Sequence, residues 1–400
     1  MTRMAYNSLP KKREDSLLPK WWRTLDKVTL ACILGLLSLG FLLGSAASPP
    51  LAAKNGLDPF HYVERQAVYA IISVGIMLIL STMSPTAVRR ISILGFAGAL
   101  VALALLPFLG TDYGKGAVRW YSLGFVSLQP SEFLKPGFVV VIAWLMSKSD
   151  GATPFKGRLY SLALTSAVAV LLALQPDFGQ ASLIICAWGA VFLASGGSVS
   201  LIVAIVGVVA VAATFSYNFS DHFARRIDAY LSGVVDPNTQ IAYVIEAIRE
   251  GGIFGAGIGE GEVKWSLPDA HTDFILAVAA EEFGALSVLF ILILYLTILL
   301  SSFARAAKEK DTFTRLAACG LAALFSGQAL INMGVATQVL PAKGMTLPLV
   351  SYGGSSLLAI GISLGILLSL TRRRPQGQIG GILFAQGASK APRTMTSESS

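Results

Sequence analysis

Apolar residues in this 400-residue chain come in long uninterrupted blocks, and that pattern limits the fold more than any motif does. Ten blocks stand out, with cores at Val28–Ala47, Ala67–Met83, Ile91–Leu109, Phe133–Met146, Leu159–Leu174, Ala181–Ala194, Leu201–Phe215, Phe274–Phe303, Leu316–Ala336 and Ser355–Leu370. Several are shorter than the ~20 residues a helix needs to cross a bilayer, so their flanks must contribute. Only 14% of residues are charged, against about 25% in a soluble domain. The pattern predicts an all-α, polytopic membrane protein with about ten spans over residues 27–371, a basic arm at 1–26 and a disordered tail at 372–400. The first block lacks an A-x-A cleavage pattern and reads as a retained span. Cys32, Cys186 and Cys319 all fall in apolar blocks, without metal-ligand spacing, so neither a disulfide framework nor a zinc site is indicated.

Ten spans put both termini on one side, and the basic residues say which. The arm through Lys27, the Arg89–Arg90 turn, the Lys148–Arg158 loop, the Arg305–Arg315 loop and the tail hold 21 of the 31 Lys and Arg. Positive-inside places these segments and both termini in the cytoplasm. Of the 23 acids, 16 fall on the opposite side or within spans, so the chemistry-capable groups gather outside. The longest outer loop is about Ser216–His271. Within it Ile241, Val244, Ile245 and Ile248 fit the apolar stripe of a surface or re-entrant helix.

Four outer constellations carry candidate chemistry. In KGAVRWYSLGFVSLQPSEFLKP (115–136), Glu132 and Lys135 are three apart and share a helix face, while Pro136 should bend the span. The two charges are either a neutralising pair or, as intramembrane ionisable groups, functional. QPDFGQ (175–180) sets Asp177 in a tight turn, an ordinary structural place for it. GGIFGAGIGEGEVKWSLPDAHTDF (251–274) is glycine-rich but lacks the G-x-x-x-x-G-K-[ST] pattern, which excludes a phosphate loop. There Asp273 is either a helix N-cap or a catalytic carboxylate, and His271 either makes a local hydrogen bond or meets substrate. Glu281 and Glu282 lie inside the run that follows, where charge is costly; an amphiphilic, anionic substrate would account for them. In LPAKGMTLPLVSYGGSSLLAIGISLG (340–365), prolines and glycines break the backbone at membrane depth, which is tolerated only inside protein or beside a cavity. Lys343 and the Ser351 and Ser355 hydroxyls could face an anionic head group, or the small residues could serve close helix packing.

LPLVSYGGSS, LPDAHTDFILAVAAEEFG, QPSEFLKP and QPDFG together resemble the shape, elongation, division and sporulation (SEDS) family of membrane glycosyltransferases, over roughly residues 25–372. LPAKGMTLPLVSYGGSS and DAHTDF are more similar to the division member than to the elongation member. The resemblance implies polymerisation of lipid II into β-1,4 glycan strands at the outer face of the bacterial cytoplasmic membrane, at the septum. It implies a class B penicillin-binding protein and other division proteins as partners, and no nucleic acid. The family's catalytic aspartate maps to Asp273, and Arg119, Glu132 and Lys135 match family positions linked to function. No motif demands a cofactor; a divalent cation, Mg²⁺ or Mn²⁺, could be held by a carboxylate and substrate phosphates. The residues alone fit a lipid II flippase or other transporter equally well. Against transport, no paired broken spans occupy corresponding halves, and the ionisable residues cluster on one face. A non-catalytic scaffold would make the acids packing pairs only.

Overall fold

The computed structural model describes residues 17–111, 118–122, 124, 127–149, 156–219, 224, 228, 239–341 and 344–373. Two compact units result. One contains a short helix, α1 (Leu17–Thr24), whose last carbonyl accepts a hydrogen bond from Arg373 N at 3.1 Å. The other, Lys27–Thr371, holds α2 (Lys27–Lys54), α3 (His61–Ser81), α4 (Pro85–Leu109), the strands β1 (Tyr121–Ser122) and β2 (Ser127–Leu128), α5 (Pro130–Ser147), α6 (Gly157–Leu174), α7 (Phe178–Ala194), α8 (Val199–Phe219), α9 (Gln240–Gly251), α10 (Ile275–Ala306), α11 (Thr312–Ala336) and α12 (Gly354–Leu370). Each of the ten apolar cores falls on one helix of this unit, to within two residues at the ends. Among the described residues α2, α3, α4, α6, α10 and α11 are each long and apolar enough to cross a membrane unaided.

Burial sorts the helices. α5, α11 and α12 are covered on nearly every face, whereas α3, α4, α6 and the later part of α10 present Ile71, Ile79, Leu94, Val101, Val170 and Leu300 outward. A helix that is apolar all round belongs in an interior, and one apolar on its outer face suits lipid. The three core helices are also the ones that carry buried Glu132, Lys135, Gln328, Asn332, Ser355 and Ser356. Small residues allow their close packing. A Cβ on Gly361 would lie 2.3 Å from Ser73 Oγ, and one on Gly365 would lie 2.8 Å from Met77 O, so α12 lies directly on α3.

Three local expectations need correction. The run Phe274–Phe303 is not one straight helix: α10 breaks at Gly284, where φ is 75° and ψ is −178°. Pro136 does not make α5 irregular, since the helix is continuous over Pro130–Ser147. On α9 the inward stripe is Val244, Ala247 and Gly251, while Ile248 is exposed, because Gly251 seats against the α10 backbone at Ala280 and fixes the rotation of the helix.

The break at Gly284 explains the glycine-rich segment. An interrupted helix leaves backbone groups without intrahelical partners. Here Ala256 N and Gly257 N donate to the carbonyls of Glu281 and Glu282, at 2.8 and 3.2 Å. Ala285 N donates to Gly252 O at 2.9 Å. A Cβ on Gly284 would lie 2.2 Å from Ile253 O and one on Gly255 would lie 2.2 Å from Glu282 O, so neither position has room for a side chain. Residues 252–257 are therefore a strap that completes a broken helix. They carry no phosphate-loop geometry.

Candidate functional site

The described residues between α11 and α12, 340–341 and 344–353, form the hub of the bundle end that also holds the β1–β2 hairpin. Its prolines and glycines keep it out of a helix, and its carbonyls are taken up from several sides. Asn332 Nδ2 donates to Met345 O at 2.6 Å, Gln328 Nε2 donates to Thr346 O at 3.1 Å, and Tyr295 Oη donates to Pro348 O. Tyr352 N donates to His271 O at 2.9 Å, which ties the hub to the segment before α10. Within the hub, Leu347 N donates to Ser351 Oγ at 2.8 Å and the Thr346 and Ser356 hydroxyls are 2.8 Å apart. Leu349 has φ 66°, a left-handed conformation unusual for leucine, and strain of this kind gathers at functional sites.

Asp273 is half-buried at this hub. A Cβ built on Gly344 would lie 3.0 Å from Asp273 Oδ2, so the carboxylate faces the Gly344 backbone. Asp273 is not the helix N-cap. That position is Phe274, without a side-chain cap bond, and Asp273 N donates to Asp269 O at 3.2 Å in the preceding turn. The capping account of this carboxylate therefore falls away, since the turn around Asp269 delays the helix by one residue.

From Asp273 a polar chain crosses the core. Asn332 Nδ2 donates to Asp273 O at 2.9 Å as well as to Met345 O. One turn earlier on α11, Gln328 Oε1 accepts from Lys135 Nζ at 2.8 Å. Lys135 Nζ also lies 2.7 Å from Glu132 Oε2. Glu132 Oε1 accepts from Gln180 Nε2 at 2.6 Å, and Gln180 N donates to Asp177 Oδ1 at 3.3 Å, capping α7. Glu132 and Lys135 are each 3% exposed, so their charges are compensated within protein. Burial raises the Asp177 pKa, an effect Arg119 opposes.

Other expected substrate contacts are engaged in holding the site together. Arg119 Nε and Nη2 donate to the carbonyls of Gln175 and Pro176, at 3.1 and 2.7 Å, so these two donors clamp the Asp177 turn. Ser355 Oγ donates to Ser127 O at 2.6 Å and accepts from Gln129 N at 3.3 Å, pinning the hairpin to α12. The Ser351 hydroxyl closes a turn within the hub. The His271 ring packs against Tyr62 and Tyr352, each at 5.5 Å. Burial lowers its pKa to about 4, with Asp269 pulling the other way, so the imidazole is neutral at pH 7. Lys343 lies outside the described residues.

Glu281 and Glu282 have a structural explanation that the sequence reading missed. Glu281 accepts from Val263 N and Lys264 N, at 2.7 and 3.2 Å, and Glu282 pairs directly with Lys264 Nζ. Both acids are fully buried, so they meet protein and not a lipid-linked substrate. Gln328 and Asn332 were also missed. Their i, i+4 spacing in an apolar span was the available signal, because it sets two amides on one helix face.

A many-helix apolar bundle with a buried polar network behind an irregular segment defines a polytopic membrane protein. The chain belongs to the cell cycle protein family that groups FtsW, RodA and SpoVE, whose model matches residues 26–376. A probable peptidoglycan glycosyltransferase FtsW of Caulobacter vibrioides is 40% identical over 365 residues, covering 91% of this chain and 93% of that one. The Geobacter sulfurreducens counterpart is 34% identical over 87% of this chain and 95% of its own. Among solved structures, a chain of a peptidoglycan synthase complex that coordinates polymerization and crosslinking aligns with a TM-score of 0.73 and 29% identity, over 88% of this chain and 98% of that one. Thermus thermophilus RodA, a rod shape determining protein, aligns at 0.65 with 28% identity, over 88% of this chain and 99% of its own.

Proposed function

We propose that the protein is a peptidoglycan glycosyltransferase of the division type, which polymerises lipid II into β-1,4 glycan strands at the outer face of the bacterial cytoplasmic membrane. The observation that carries this reading is the Asp273 carboxylate held against the Gly344 backbone, with the Asp273 main-chain carbonyl bonded to Asn332 beside the Gln328–Lys135 contact. The 4-hydroxyl of the acceptor sugar attacks the anomeric carbon of the growing chain. The bond to the lipid pyrophosphate breaks with inversion, from α to β. Asp273 takes the hydroxyl proton as general base. Undecaprenyl pyrophosphate leaves with the bonding pair, and basic side chains balance its charge. Lys343, next in sequence to Gly344, is one such side chain. Lys135, 3% exposed and held by Glu132 and Gln328, would support pyrophosphate binding from within the core and not by contact. Mg²⁺ or Mn²⁺ could be held by Asp273 and substrate phosphates together; among the described residues no group of three or more His, Cys, Asp or Glu could hold a metal by itself.

The distribution of Lys and Arg favours both termini in the cytoplasm. A class B penicillin-binding protein and other division proteins are the expected partners, at the septum.

The deciding experiment incubates purified protein in detergent with lipid II and looks for glycan polymer. Without a membrane there is nothing to flip across, so a flippase would yield no polymer. The same absence would overturn the glycosyltransferase reading.

A further inference from the structure

We infer that Asn332, assisted by Gln328 one turn earlier, is the positioning residue that aligns Asp273 with the hub segment Gly344–Thr346. Both amides lie on one face of α11, and each is 3% exposed or less. Their orientations follow from their neighbours. Asn332 faces two carbonyls, Asp273 O and Met345 O, and only its NH₂ group can satisfy both. Gln328 faces the Lys135 ammonium on one side and Thr346 O on the other, so its oxygen must meet the lysine and its nitrogen the loop. The two amides thus grip consecutive loop carbonyls, 345 and 346. Asn332 joins them to the Asp273 backbone, and Gln328 joins them to the charged pair on α5. Gly344 is the residue just before the gripped carbonyls and the one the Asp273 carboxylate faces. Among the described residues of the loop, the N–H groups bonded to backbone carbonyls are those of Leu340, Val350, Ser351 and Tyr352, and none is at Gly344–Thr346. The amides anchor that stretch from a core helix, which is how a reactive group on irregular backbone is kept in register.

The inference uses the glycosyltransferase reading for its activity arm alone, and its structural arm is independent. Asn332→Asp is nearly isosteric but sets acceptors against two carbonyls. Gln328→Glu retains the lysine contact and loses the donor to Thr346 O. Hydrogen exchange in detergent should be faster at the amides of residues 344–347 in both variants, with exchange in α5 and α12 unchanged. With lipid II, kcat should fall about 10²-fold for Asn332→Asp, the scale of an ångström-sized misplacement, while KM changes little. Asn332→Ser, which retains one donor, should recover part of the rate. If Asn332→Asp unfolds, Asn332→Ser and Gln328→Glu carry the test. Unchanged loop exchange in the folded variants would overturn the inference, and so would KM rising while kcat holds. An inactive wild type would instead remove the glycosyltransferase reading and leave the exchange result standing.

Discussion

The carboxylate of Asp273 faces the backbone of Gly344, 71 positions later in the chain, closely enough that a methyl group there would lie 3.0 Å from Oδ2. Two variants probe this relationship. Asp273→Asn retains shape and, since Phe274 is the N-cap, disturbs no cap. It should remain folded and bind lipid II, while polymer formation falls by about 10²- to 10⁴-fold, the range for loss of a general base. Near-normal polymerisation by this variant would remove Asp273 as the base. Gly344→Ala forces the carboxylate to shift by a few tenths of an ångström, and should lower the rate about tenfold with little change in thermal midpoint.

Lys135 and Glu132 form a buried pair, so removing one partner strands the other. Lys135→Met should weaken lipid II use and also destabilise the protein, by about 3–5 kcal/mol. Glu132→Gln/Lys135→Met removes both charges and should recover most of the stability in a detergent melt. Polymer yield separates the roles. If Lys135 serves the pyrophosphate, the double variant stays inactive. Restored activity would reduce the lysine to a neutraliser.

Lys264 and Glu282 make a second buried pair, at the strap around the α10 break. Lys264→Met alone should lower unfolding free energy by about 3–5 kcal/mol, and Lys264→Met/Glu282→Met should return most of it. Melts with and without lipid II check whether the pair is purely structural, in which case ligand stabilisation is equal in all forms.

His271 predicts a pH dependence. Its native pKa is lowered from 6.5 to about 4, chiefly by burial. Between those values the unfolded chain binds a proton that the native state does not. Stability therefore falls as pH drops from about 6.5 to about 4, by on the order of 3 kcal/mol at the lower end. His271→Phe retains an aromatic ring against Tyr62 and Tyr352 and should flatten that part of the profile, read as thermal midpoint against pH.

Each of the ten apolar cores fell on one helix, to within two residues at the ends, because bilayer-scale burial writes itself locally, as block length. Asp273, Glu132, Lys135 and Asp177 stood out for the same reason: charge next to an apolar run is visible in a short window. The break at Gly284 was not visible, since a lone glycine inside an apolar run is usually tolerated in a helix. What permits the break is backbone from residues 252–257, some thirty positions earlier, and such long-range pairing has no local signature. Lys264 was overlooked on the same account. Arg119 and Ser355 were expected at the substrate because their chemistry suits an anion, but carbonyls of distant turns reach them first.

The break divides α10 into two pieces with different surroundings. Ile275–Glu282 is enclosed by protein, while Leu286, Leu289, Phe290 and Ile293, beyond Gly284, face outward. Residues 285–306 come to about 33 Å at 1.5 Å per residue, close to the ~30 Å hydrocarbon thickness. The lower piece alone therefore matches a membrane in length, but Tyr295 on it donates to Pro348 O of the hub. The upper piece is enclosed beside α11, where Asn332 donates to the carbonyl of the aspartate that precedes it. Bilayer thickness is thereby linked to the hub through one hydroxyl, and polymerisation should vary with the acyl-chain length of the lipid.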